Sequence, residues 1–252
     1  MKFSACIEWL FAAEATYFAD RIRLAKEAGL DAVEFWSWSN KDLDAVAAAL
    51  RETGLPLAAI LCEPKAPLTD PAAHETFLGS VRASAAVAAR LGAPVIIAQA
   101  GNLLAGRLRS EQHAAIVSVL REAAQVLSGT GVTLGLEPLN DRVDHPGYFL
   151  TSTAEGLEII DAVGSPHVRL VYDIYHAAVM DEPIDLLEGR LDRVAHVHLA
   201  DRPGRNQPGS GTLDYAERLK WLADQGYDGF VGLEYRPTVP TLESLKFREF
   251  VQ

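Results

Sequence analysis

Four side chains of metal-ligand type end four consecutive apolar segments in the C-terminal half of the chain. They are Glu137 in VTLGLEPLN, Asp173 in VRLVYDIYH, His198 in VAHVHLAD and Glu234 in GFVGLEYRP. Read as strands, these segments alternate with a period of two. Leu134 and Leu136 share one face, and Thr133, Gly135 and Glu137 the other. Leu170 and Tyr172 oppose Val171 and Asp173. Val197 and Leu199 oppose His196, His198 and Ala200, and Val231 and Leu233 oppose Gly232 and Glu234. A single carboxylate at a strand end is as readily a salt-bridged structural residue. Four ligand-type groups on successive strands are hard to explain that way. Three carboxylates at close range repel one another and raise each other's pKa, a penalty that a divalent cation removes. Three carboxylates and one imidazole form an oxygen-rich donor set. It suits Mg²⁺, Mn²⁺ or Co²⁺ better than a structural zinc, while still admitting Zn²⁺.

Positioning these groups together requires a closed sheet. The chain of 252 residues alternates short apolar runs with helical patterns throughout. Strands are expected at Lys2–Ile7, Ala32–Trp36, Leu55–Cys62, Pro94–Ala98, Val132–Leu139, Val168–Ile174, Val194–Asp201 and Gly229–Tyr235. Each connection is long enough for a helix, the mark of parallel βαβ units. Gly29, Gly54 and Gly92 follow helical runs as left-handed stops. Asp70-Pro71 reads as an N-cap and first-turn proline, and Ser152/Glu155 and Asp214/Glu217 as capping-box pairs. No linker or low-complexity tract divides the chain, so residues 1–252 read as one α/β domain, a (β/α)8 TIM barrel. The weakest unit is the last helix, in the short segment TLESLKFREFVQ. In such a barrel Glu137, Asp173, His198 and Glu234 point inward near the C-terminal face.

Composition narrows the function classes. The formal net charge of -11 repels phosphate backbones and anionic lipid, which argues against nucleic acid and membrane surfaces as partners. Two cysteines, Cys6 and Cys62, lie in apolar runs and read as small core residues of a reduced, cytoplasmic enzyme. Glu8 interrupts the apolar N-terminal stretch, so it reads as a first strand and not as a signal peptide.

The segments LGLEPLN, HPGYFL, YDIYHAAVM, HVHLADRPGRNQPGSGTLDY and GYDGFVGLEYRP resemble the hydroxypyruvate isomerase family of the xylose isomerase-like TIM barrel superfamily. FSACIEWLF and EAGLDAVEF extend the resemblance to the first two strands. It implies a metal held by Glu137, Asp173, His198 and Glu234. It also implies that Glu137 and Glu234 are the catalytic acid/base pair, moving a proton between adjacent carbons through an enediolate. The implied substrate is a small sugar or hydroxy-keto acid, of the hydroxypyruvate/tartronate semialdehyde or 2-oxo-tetronate type. His176 and Arg205 match substrate-contacting positions. Family members are often oligomers, so a homo-oligomer is left open. The chain also departs from the pattern. Some members carry glutamine where His198 stands, and His198 is similar instead to the ketose 3-epimerases of the superfamily. LCEPKAPLTD and IIAQAGN, at the third and fourth strand ends, differ from the family pattern as well.

Other residues carry competing readings. His176 is as readily a helix-start histidine bonded to a loop carbonyl. His196, one pleat below His198, reads as a supporting core histidine. Arg205 is a substrate contact or a solvated loop arginine, and Arg202 fits the second description better. Glu34 is a substrate-side carboxylate or, preferably, a hydrogen-bonded strut. Trp36, with Trp38 and Phe35, could wall a pocket, and Glu63 is a further pocket candidate. Other function classes are a sugar-binding barrel without catalysis and an endonuclease IV-like nuclease. The nuclease needs more histidines around its metals than a chain with seven in all readily supplies.

Overall fold

Strands buried on both faces need a helix layer outside and a packed interior inside, which selects a parallel barrel. The computed structural model describes residues 1–251. Its strands are β1 (Lys2–Cys6), β2 (Ala32–Phe35), β3 (Leu57–Leu61), β4 (Val95–Gln99), β5 (Thr133–Glu137), β6 (Val168–Asp173), β7 (Val194–Leu199) and β8 (Phe230–Leu233). They close into one parallel barrel in chain order, and β1 pairs β8 through Ser4↔Gly232. The expected strands form at the expected places, most of them slightly shorter.

The helices are α1 (Phe18–Glu27), α2 (Leu43–Thr53), α3 (His74–Leu91), α4 (Arg109–Leu127), α5 (Thr153–Val163), α6 (Ile174–Val179), α7 (Tyr215–Asp224) and α8 (Thr241–Ser244). Asp42 starts α2 by accepting from the N–H groups of Asp44 and Ala45, and Gly54 stops it at φ 67°. Ser152 and Asp214 accept from the N–H of Glu155 and Glu217, the N-cap half of a capping box, while the Glu155 carboxylate turns to Arg109 instead of back to the cap. Asp70 caps a 3₁₀ turn, Pro71–Ala73, and α3 begins only at His74. The last unit is reduced to the single turn of α8 and a 3₁₀ turn at Lys246–Phe250. Among the described residues no helix is long and apolar enough to cross a membrane.

The packing has two compartments. Leu134, Leu136, Val197, Leu199, Val231 and Leu233 join the large core between strands and helices. Ala59, Leu61, Val95, Ile97 and Val171 form a separate cluster inside the barrel. Gly135 belongs to that interior. A Cβ there would lie 2.5 Å from Val171 Cγ2 and 3.5 Å from Val95 Cγ1. Val171 is fully buried and branched, so it has little room to yield. Gly135→Ala is therefore expected to destabilise the barrel by about 1–3 kcal/mol through overpacking. Urea unfolding measures this, and an unchanged midpoint would mean that the interior repacks freely.

Candidate functional site

The strand ends converge as the alternation requires. Glu137 and Asp173 are the last residues of β5 and β6, Asp173 is in register with His198 of β7, and His198 with Gly232 of β8. Glu234 follows β8 directly. One ligand atom from each of Glu137, Asp173, His198 and Glu234 falls within a cluster whose members lie within 4.8 Å of one another, and all four residues are buried. His198 Nδ1 is central. It is 3.0 Å from Glu137 Oε1, 3.9 Å from Glu234 Oε2 and 4.0 Å from Asp173 Oδ2. Asp173 Oδ1 is already committed, because it accepts from the N–H of Tyr175 (2.7 Å) and His176 (3.1 Å) at the start of α6. Its other oxygen is left to the cluster.

Behind His198 lies Glu34. Its Oε1 is 3.0 Å from His198 Nε2. Its Oε2 accepts from the Ser4 hydroxyl (2.6 Å) and is 2.8 Å from His196 Nε2. A carboxylate can only accept here, so each imidazole presents an N–H to it. Burial alone would raise the Glu34 pKa, but His196 and His198 outweigh it and hold this carboxyl far below the usual range. For His198 burial disfavours the charged form, yet Glu234 and Glu34 prevail and push its pKa well above the ordinary value. Glu34 is thus a hydrogen-bonded strut, the preferred of its two readings, and His196 supports it from below.

Arg205 closes the cluster from above. Its guanidinium bonds Glu234, lies 3.8 Å from Asp173 Oδ2, and stacks over the rings of Trp9 (5.1 Å) and Tyr175 (5.5 Å). The loop that carries it is organised by buried Asp201. That carboxylate accepts from the backbone N–H groups of Arg202 (2.7 Å), Gly209 (2.8 Å), Gly211 (2.9 Å) and Leu213 (3.0 Å). Arg205 itself is left-handed at φ 55°, and its carbonyl accepts from Arg236 N. Burial raises the Asp173 pKa against the pull of Arg205 and His198. At Glu234 burial also acts upward, but Arg205 and His198 win and lower it. Arg202 lies outside the cluster and pairs with Asp181 at 3.2 Å.

The remaining candidates divide. His176 is buried beside the cluster, and its Nε2 has no hydrogen-bond partner. Burial, aided by Arg205, pushes its pKa down to about 3, so the ring is neutral. Trp36 lines the cluster, donating its indole N–H to Glu234 Oε1 at 2.7 Å and meeting Trp9 edge-on at 4.8 Å. Glu63 is tied down elsewhere, accepting from Ser39 N at 2.5 Å. Phe35 faces the helix layer against Phe18, and Trp38 bonds Ser84, so neither walls the cluster. Ser4, Trp9, Asn140 and Tyr175 escaped the sequence reading. Ser4 had a signal, a polar residue alternating within an apolar strand. Trp9 had none, because it lies in an irregular turn after β1.

Residues 22–249 match the family model described as xylose isomerase-like TIM barrel. A human protein named putative hydroxypyruvate isomerase is 35% identical, over 98% of this chain and 94% of its own. The hydroxypyruvate isomerase of Escherichia coli K12 is 32% identical, over 99% of this chain and 98% of its own. A crystal structure from Brucella melitensis, described as an AP endonuclease of family 2, superposes with a TM-score of 0.91 at 29% identity, covering 99% of this chain and 98% of that one.

Removing Arg205 leaves Glu234 and Asp173 without their nearest cation. Arg205→Ala is expected to destabilise the metal-free protein by about 3 kcal/mol, as for breaking a buried ion pair. Thermal unfolding in EDTA measures this. A melting temperature equal to that of the unaltered protein would contradict the assigned role.

Proposed function

The chain belongs to the hydroxypyruvate isomerase family of xylose isomerase-like TIM barrels, a family of isomerases, and from that premise we propose a divalent-metal-dependent isomerase of a small hydroxy-keto acid. The substrate is of the hydroxypyruvate/tartronate semialdehyde or 2-oxo-tetronate type. The observation that carries this reading is the convergence of Glu137, Asp173, His198 and Glu234 within 4.8 Å.

The residues fit a metal on chemical grounds. Three carboxylates supply acceptor oxygens, and His198 turns Nδ1 toward them while Nε2 is engaged by Glu34. A carboxylate behind a ligating histidine is the usual support for such a ligand. A bound Mg²⁺ or Mn²⁺ would polarise the substrate's neighbouring oxygens and stabilise negative charge as it develops. The chain does the rest. One of Glu137 and Glu234 removes the proton beside the carbonyl, the other returns a proton to the adjacent carbon, and the hydroxyl proton passes from the oxygen of the new carbonyl to that of the old one. Arg205 neutralises a substrate carboxylate from above. Trp36 holds Glu234 in place through its indole N–H. Burial of all four cluster residues keeps bulk water from the intermediate.

Solvent deuterium incorporation into hydroxypyruvate, with product NMR, tests this reading. Exchange is expected with added Mn²⁺ and not in EDTA. Glu137→Gln and Glu234→Gln should each lower turnover by about 10²-fold or more. Full turnover in both variants would sink the acid/base assignment. Inversion at a single carbon of a ketose would mark a 3-epimerase instead. The net charge of -11 counts against the nuclease chemistry in the name of the Brucella structure. Separately, Glu34→Gln should weaken Mn²⁺ binding about 10–100-fold by calorimetry, the usual cost of losing such support. Unaltered affinity would remove Glu34 from the site.

A further inference from the structure

Asn140 is fully buried, three residues beyond Glu137, and every polar atom of its side chain is accounted for. Its Oδ1 accepts from the backbone N–H groups of Val143 (3.0 Å) and Asp144 (3.0 Å). An amide NH₂ could not take that place, so the amide has one orientation. Its Nδ2 donates to Asp144 Oδ2 at 2.7 Å and lies 2.6 Å from His176 Nδ1. The backbone N–H of Asn140 points at the same nitrogen from 3.1 Å. Asp144 is anchored in turn by the Tyr175 hydroxyl at 2.8 Å.

Two donors therefore converge on His176 Nδ1, and neither can accept. Nδ1 must offer its lone pair, which places the ring's only N–H hydrogen on Nε2. An imidazolium would set an N–H against two others. The opposite nitrogen, Nε2, finds no partner among the described residues, and the nearest carboxylate oxygen, Asp173 Oδ2, is too far at 3.6 Å. A buried donor without an acceptor in the chain is rare and calls for a partner from outside it, a water, an ion or a ligand.

We infer that Asn140 is a positioning residue that locks His176 as a neutral imidazole and aims its Nε2–H at a substrate oxygen. On the proposed isomerase reading, that oxygen is the carbonyl oxygen that becomes negative in the enediolate. A neutral donor stabilises this charge from a fixed direction without surrendering its proton.

The decisive measurement is a long-range ¹⁵N–¹H correlation spectrum of metal-free protein carrying ¹⁵N-labelled histidine, with His176 assigned through His176→Gln. Near neutral pH, Nδ1 is expected in the pyridine-type range and Nε2 in the pyrrole-type range. A protonated Nδ1, in either the other tautomer or the imidazolium, overturns the inference. A second arm uses hydroxypyruvate and Mn²⁺. Asn140→Ala should lower kcat by about tenfold, the worth of one hydrogen bond to the ring, with a smaller change in KM. In a His176→Ala background the same change should cost nothing more. Equal losses in both backgrounds would make Asn140 merely structural and overturn the inference. If hydroxypyruvate is not turned over, the spectrum still judges Asn140, and only the isomerase reading fails.

Discussion

The structure depends on one crowded arrangement. Four carboxylates, Glu34, Glu137, Asp173 and Glu234, surround the buried imidazole of His198. Like charges so close cannot persist in a low-dielectric interior without cations. His198 and Arg205 supply them here, one from within the barrel and one from the loop above. His198 is gripped at both nitrogens, by Glu34 below and Glu137 beside it. This grip gives the cluster its direction, with Nδ1 toward the mouth and Nε2 toward the interior.

Small residues make the arrangement possible. A Cβ on Gly232 would lie 2.5 Å from both Glu34 carboxylate oxygens and 2.7 Å from His198 Cδ2. Only a glycine in β8 lets the strut reach across from β2. Ser4 of β1 faces Gly232 in register and completes the strut with its hydroxyl. Polar chemistry thus runs down into the barrel from the mouth, and apolar packing by Val95, Ile97 and Val171 takes over beside it.

The loops use the same economy of hydrogen bonds. Asp173 both caps α6 and faces the cluster, one oxygen for each task. Asp201 gathers four backbone N–H groups so that a Gly- and Pro-rich loop can carry Arg205 to a fixed place. Asn140 does the equivalent for the loop after β5, linking it to His176 and, through Asp144, to Tyr175. In each case the oxygens of a short polar side chain accept from backbone N–H groups and hold irregular backbone against a rigid strand end.

The barrel was legible from sequence because its signals are local. Period-two alternation, capping residues and helix-stopping glycines each act within a few residues, and eight repeats of the pattern reinforce one another. The same alternation was enough to put Glu137, Asp173, His198 and Glu234 on inward faces at strand ends, and to separate His196 from His198. Boundaries were less legible at the α3 start and in the last unit, where Pro71 and the short C-terminal segment favour 3₁₀ turns. What only the tertiary structure decided is which partner each polar group takes. Strand register set Glu34 between two histidines 162 residues away or more, turned Glu63 toward Ser39, and brought Trp9 beneath Arg205. Alternation fixes a side chain's face, but partners across a closed barrel depend on register, loop path and the room a glycine leaves, and none of these is a local property.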